Sequence, residues 1–143
     1  MTQNEREVAE KTFVMLKPDA LERGLVGEIV ARLERKGLKL ERLETKRLSK
    51  ELIARHYAHL VGRDFYGELE SYATRGDVIA SIWRGPGAIA IVRKLVGATD
   101  GADAEPGTIR GDFALGGTEN LVHASDSPEA ARREIALFFG DAR

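Results

Sequence analysis

Short apolar runs alternate along this chain with stretches in which apolar residues recur every three or four positions, a pattern of strands interleaved with amphipathic helices. Residues 12–16 make an apolar run containing Phe13 and Val14 and predict a buried strand ending at Lys17, Pro18 and Asp19. After Gly24, the positions Val26, Ile29, Val30 and Leu33 keep helical spacing until Gly37 supplies a stop. Residues 38–48 begin as alternating apolar and charged positions at Leu38, Leu40 and Leu43 and predict a partly exposed strand. Ser49 is placed to cap a helix running to about Val61, and a looser helical stretch covers 66–73. An apolar strand follows at 78–83, then a turn at Gly85, Pro86 and Gly87, then a helix marked by Ala88, Val92, Leu95 and Val96. Residues 97–117 are glycine-rich and lack periodicity, a loop of about twenty residues, and such loops inside a compact domain usually serve a function. A short strand is expected at 120–123. The last helix opens at Ser127, Pro128 and Glu129 and buries Ala131, Ile135, Phe138 and Phe139. This order of elements predicts an α/β (α+β) sandwich on a four-stranded sheet, built as one domain over 1–143.

Composition narrows the function classes. The 143 residues are 43% hydrophobic, enough for one continuous core. With 22 basic and 23 acidic side chains the net charge is −1, so no global positive field draws the chain to nucleic acid or an anionic membrane, and basic groups that bind phosphate must be gathered locally. The absence of cysteine removes disulfides, thiolate zinc sites and thiol nucleophiles. Residues 1–11 are polar and mixed in charge rather than signal-like, and no run approaches the roughly 20 apolar residues of a membrane span, so a cytoplasmic location is expected.

Two segments compete for the chemistry. Gly85-Pro86-Gly87-Ala88-Ile89-Ala90 fits a dinucleotide-binding fingerprint, but a glycine-rich loop follows where that fingerprint requires a second parallel strand carrying an acid. The segment reads better as a turn and helix start. In Asn120-Leu121-Val122-His123-Ala124-Ser125-Asp126-Ser127, His123 closes a strand just before a helix cap, and Glu134 lies at the border of the following helix's apolar stripe, where a carboxylate can face inward. A neutral imidazole attacks through one nitrogen only if the other keeps its proton, and a carboxylate on that second nitrogen fixes the tautomer and steadies the cation formed. Phosphoryl transfer further requires in-line positioning and positive charge on the phosphate oxygens. Lys17, Arg93 and Arg110, with the hydroxyl of Thr99, are the available donors, and spacing alone leaves their convergence open.

These segments resemble the nucleoside diphosphate kinase family over nearly the whole chain. The carriers of the resemblance are Asn-x-x-His-x-Ser-Asp-Ser at 120–127, Lys17-Pro18-Asp19, Arg23-Gly24-Leu25-Val26-Gly27, His56-Tyr57, and Pro106-Gly107-Thr108-Ile109-Arg110-Gly111-Asp112-Phe113. The resemblance implies a ferredoxin-like sandwich with a four-stranded antiparallel sheet. It implies that His123 takes the terminal phosphoryl group of a nucleoside triphosphate, mainly ATP, and passes it to a nucleoside diphosphate. It further implies that Lys17, Tyr57, Arg93, Thr99, Arg110 and Asn120 surround phosphates, sugar or histidine, with Lys17 and Asn120 on the sugar hydroxyls. Glu134 would orient the imidazole, and Phe65 would stack on the base beside Leu69, a contact that tolerates every base. Magnesium (Mg2+) would arrive on the nucleotide phosphates without protein ligands of its own, and residues 97–117 would pack between subunits of a homo-oligomer, a hexamer or tetramer. Two positions depart from the family pattern: Ala124 stands where glycine is usual, and Thr99-Asp100-Gly101 replaces Thr-Asn-Pro, a change expected to loosen the loop. The rival readings are a regulatory module on the same scaffold, binding a nucleotide without phosphorelay, and a nucleic-acid binder, which the net charge opposes.

Overall fold

A computed structural model of the chain describes residues 10–140; the polar amino-terminal segment through residue 9 and residues 141–143 lie outside the described residues. The strands are β1 (Lys11–Leu16), β2 (Lys39–Lys46), β3 (Val78–Arg84) and β4 (Val122–Ala124), arranged β2-β3-β1-β4 with every neighbouring pair antiparallel. This is the expected four-stranded antiparallel sheet of a ferredoxin-like α+β sandwich. The helices are α1 (Pro18–Glu22), α2 (Val26–Lys36), α3 (Lys50–His56), α4 (Tyr66–Thr74), α5 (Ala88–Val96), α6 (Ile109–Phe113) and α7 (Pro128–Phe139).

The apolar runs of β1 and β3 follow from burial on both faces of the sheet. Val14, Leu16, Ile79 and Trp83 pack against Ile29 and Leu33 of α2 and Val92 of α5. Phe13, Met15, Val78, Ala80 and Ile82 face Ile53 of α3, Ala73 of α4 and Phe138 of α7. A strand covered on both sides has no polar face to show, which is why these two lack alternation. Strand β2 lies at one edge of the sheet and is mostly exposed.

The boundaries of several elements differ from expectation. The extra residue Glu41 forms a bulge between Leu40 and Arg42, so Leu40 and Leu43 both stay 39% exposed, while Leu38 and Leu48 are buried just outside the strand's ends. Ser49 caps α3 as predicted, accepting from Leu52 N at 3.0 Å, but the helix stops at His56 and continues as a 3-10 turn over Ala58–Leu60. Gly37 ends α2 at φ 112°, a left-handed position that a side chain would strain. The long loop contains a helix the periodicity missed, α6, capped by Thr108, whose hydroxyl accepts from Gly111 N at 2.9 Å. The strand expected at 120–123 sits at 122–124. Gly85-Pro86-Gly87 is a turn ahead of α5, and the helix-start amide of Ile89 is taken by the chain's own Glu10 carboxylate at 2.9 Å, so it offers no phosphate cradle.

Candidate active site

β4 pairs with β1 so that His123 lies opposite Met15. Paired residues share a face, and Met15 belongs to the face covered by α3, α4 and α7. The His123 ring is therefore sent toward α7, where Glu134 is buried one helical turn before Phe138. Nε2 of His123 is 3.0 Å from Glu134 Oε1, a short contact whose alignment falls short of an ideal hydrogen bond. Nδ1 is left as the ring nitrogen that meets the adjoining cleft. Burial alone would raise the Glu134 carboxyl, but the contact with His123, its charge, and a hydrogen bond from Ser125 Oγ at 2.7 Å bring it below the ordinary value, so the group is held ionised.

The cleft has a volume of about 480 Å³, within the range of nucleotide-sized ligand pockets. It brings together Lys17, Tyr57, Phe65, Leu69, Arg93, Thr99, Arg110, Asn120 and His123; Glu134 stands behind the histidine. The convergence that spacing left open is thus settled by the fold. Leu60 and Thr118 also line the cleft and were not singled out in the sequence; Asp100, noted there only as a departure from the family pattern, lines it too.

Its inner end is charged and tightly bonded. Lys17 Nζ donates to Asn120 Oδ1 at 2.8 Å, and Asn120 Nδ2 donates to the Thr99 carbonyl at 3.0 Å. Arg110 donates to three backbone carbonyls, those of Asn120, Gly97 and Val122, at 3.1, 3.1 and 2.6 Å. Arg93 Nη1 reaches the Ala124 carbonyl at 3.2 Å. Burial, with Arg110 adding to it, pulls the Lys17 ammonium down to about 7; burial and the neighbouring Arg93 pull Arg110 to about 10. Crowded cations with depressed proton affinity mark a pocket prepared for an anion that will relieve them.

Between Lys17 and His123 the chain makes an unusual turn. Leu121 is fully buried with φ 71°, a conformation that costs a branched side chain about 1 kcal/mol or more. It is held there because its carbonyl accepts from Lys17 N at 2.8 Å and its amide donates to Asp19 Oδ2 at 3.2 Å. Asp19 also accepts from the Tyr72 hydroxyl. Asp19 and Ser125 are thus supports, present in the motifs around Lys17 and His123 but with tasks that only the fold reveals; the signal in the sequence is their fixed place beside those two residues.

Both departures from the family pattern are accommodated. Ala124 is 1% exposed, and its methyl packs into the core face away from the His123 ring. The loop at Thr99 is pinned rather than loose: Asp100 Oδ1 accepts from Ala102 N at 3.0 Å, and Gly101 lies so close to the Ala114 backbone that a Cβ would collide with it. Carboxylates near the cleft are Glu134, committed to His123, Asp19, committed to Leu121 and Tyr72, and Asp100, committed to its own turn, so the donor set fits an ion carried by phosphate oxygens and not a protein cage. Among the described residues no helix is long and apolar enough to cross a membrane.

The family model described as nucleoside diphosphate kinase matches residues 10–143. A nucleoside diphosphate kinase of Symbiobacterium thermophilum is 53% identical over 132 residues, covering 92% of this chain and 88% of that protein. Nucleoside diphosphate kinase 3 of Homo sapiens is 54% identical over 130 residues, 91% of this chain and 77% of that one. Among solved structures, the halophilic nucleoside diphosphate kinase from Halobacterium salinarum in complex with CDP superposes with a TM-score of 0.90 at 50% identity, covering 93% of this chain and 89% of that chain. The apo enzyme from Encephalitozoon cuniculi gives the same TM-score at 41% identity, covering 92% and 90%. Motif, fold and overall likeness agree: the chain belongs to the nucleoside diphosphate kinase family, enzymes that move a phosphoryl group from a nucleoside triphosphate to a nucleoside diphosphate by way of a histidine.

Proposed function

We propose that His123 is the phosphoryl carrier and that the cleft above it holds donor and acceptor nucleotides in turn. The observation that carries this is the His123 Nε2 to Glu134 Oε1 contact of 3.0 Å at the floor of a cleft whose inner end is cationic. With Nε2 held by the carboxylate, Nδ1 presents its lone pair to the terminal phosphorus of ATP. The new N–P bond forms as the bond from phosphorus to the bridging oxygen breaks, and ADP leaves with that electron pair. An acceptor diphosphate then attacks the phosphohistidine with its terminal oxygen and returns the pair to Nδ1. The cation on the ring exists only between the two steps, and Glu134, held by Ser125, steadies it.

Arg93, Arg110 and the hydroxyl of Thr99 carry the phosphate charge, with Tyr57 beside them. Lys17 and Asn120 exchange their mutual bond for the sugar hydroxyls and phosphate oxygens. Phe65, with Leu60 and Leu69, stacks on the base. Magnesium belongs to the substrate, arriving on the phosphates. CDP in the Halobacterium salinarum relative supports a pyrimidine diphosphate as an acceptor. The chain acts as one domain over 1–143 in the cytoplasm, without nucleic acid or membrane, in a homo-oligomer, hexamer or tetramer. Leu115 in the loop at 97–117 is 97% exposed and supports that assembly.

ATP labelled at its terminal phosphate, given without acceptor, is expected to leave acid-labile, alkali-stable label on the native chain and none on His123→Ala, and GDP or CDP is expected to discharge it. Nucleotide binding without label sinks this reading in favour of a regulatory module.

A further inference from the structure

Directly against the His123 ring lies a second histidine for which the phosphoryl transfer has no use. The His56 ring stands 4.6 Å from it, centre to centre, and nearly perpendicular at 87°. His56 is 5% exposed, and neither of its nitrogens has a hydrogen-bond partner. Buried polar atoms are as a rule satisfied, so an imidazole with both nitrogens idle is a feature that needs a reason. One donor atom each from His56, His123 and Glu134 fall within 4.8 Å of one another, and no other such group occurs among the described residues.

We propose that His56, His123 and Glu134 form a site for a borderline divalent transition-metal ion, zinc(II), and that the bound ion switches the nucleophile off. Two imidazoles and a carboxylate are a donor set suited to zinc, with one tetrahedral position left open. Magnesium prefers an all-oxygen shell and does not compete for it. Donor atoms on a tetrahedral zinc stand roughly 3.3 Å apart. His123 Nε2 and Glu134 Oε1 are already 3.0 Å apart, and His56 has no hydrogen bond to break when its ring turns to close the rest.

The effect on chemistry follows from one proton. A neutral His123 ring carries its proton on Nε2. When zinc takes that nitrogen's lone pair, the proton passes to Nδ1, and the nitrogen facing the cleft has no pair left to attack phosphorus. Only the tautomer changes, so removal of the ion restores the nucleophile. Lys17 and Arg133, whose guanidinium lies 3.8 Å from Glu134 Oε2, oppose a dication, which makes the site a reversible one rather than a permanent structural centre. The binding half of the proposal stands on geometry; the inhibition half rests on His123 as the phosphoryl carrier.

The test uses untagged, nucleotide-free protein and cobalt(II) as the visible probe for zinc. One equivalent of cobalt is expected to give the intense visible bands of a low-coordinate site. His56→Gln, Glu134→Gln and His123→Gln are each expected to lose those bands while keeping their urea midpoints close to the native one. If His56→Gln fails to fold, the other two variants must still lose the bands. Preincubation with zinc, with magnesium in excess over ATP, is expected to cut the label on His123 by about ten-fold or more, restored by a chelator. Weak six-coordinate cobalt bands, bands that survive in the variants, or inhibition without cobalt binding overturn the proposal. Failure of His123 to label in the absence of any zinc sinks the enzyme reading instead and leaves the cobalt result standing by itself.

Discussion

The two ends of the cleft are made of different materials. At the inner end Lys17, Arg110, Asn120 and Glu134 are all under a tenth exposed, and each is tied to a neighbour by at least one hydrogen bond or short contact. At the outer end Phe65 is 45% exposed, and it stands with Leu60 and Leu69 on the segment from the 3-10 turn into α4, touching its surroundings through apolar surface and the Arg63 guanidinium 5.3 Å from its ring. Buried, bonded groups hold a reacting phosphate within a narrow geometry; an exposed ring offers only a face. On the proposed function, the division of labour is rigid chemistry at one end and tolerant recognition at the other.

The contrast can be broken most severely at the carrier itself. His123→Gln is expected to lower turnover by about 10⁴-fold or more with little change in thermal midpoint, since the ring is partly exposed and its one polar contact is with a single acid. Next comes Lys17→Met, expected to cost about 10²- to 10³-fold in kcat as one preorganised donor is lost. That variant also tests the pocket's electrostatics. The native Lys17 is held at about 7 against 10.5 in the unfolded chain, so between those values the unfolded chain binds more protons. Nucleotide-free protein should gain stability as pH rises from 7 towards 10.5, and Lys17→Met should flatten that gain in urea midpoints compared at the two ends of the window.

Glu134→Gln leaves the nucleophile in place but loosens its tautomer and its support. Its expected cost is about 10²-fold in kcat with KM near native, read by steady-state kinetics. The smallest effect belongs to the outer end. Phe65→Ala is expected to raise KM for all bases about five- to ten-fold, leaving kcat within a factor of about two, because stacking is lost equally for each. Base-selective damage by that substitution would overturn the view of the outer end as a tolerant face.

Much of this was legible in the chain because several constraints act locally. β1 and β3 announce themselves as uninterrupted apolar runs, and Ser49 and Ser127 as helix caps, since these depend on neighbours a few residues away. The residues singled out with the motif around His123 do meet: nine of them line one cleft, and Glu134 stands behind the histidine. What escaped were features with no period to display: α1 and α6 are five residues each, the Glu41 bulge shifts a strand by one, and α3 ends where Tyr57 leaves helical geometry at ψ 35°. Asp19 and Ser125 escaped for another reason. Their work is to hold Leu121 and Glu134, partners whose nearness comes from the fold and not from the order of residues. His56 is of the same kind, an ordinary-looking member of His56-Tyr57 until β4 brings His123 beside it.

The pairing of β4 with β1 has a consequence in time. Val14 meets Ala124, residues that leave the ribosome more than a hundred positions apart, and Lys17 reaches Leu121 and Asn120 across a similar span. The site cannot close in a nascent chain that lacks its last quarter, which supplies Arg110, Asn120, His123 and Glu134, and loop closure over such distances is slow. The carrier histidine is therefore assembled near the end of folding, and recovery of phosphorylation after dilution from denaturant should follow the slowest spectroscopic phase, making the label a clock for completion of the molecule.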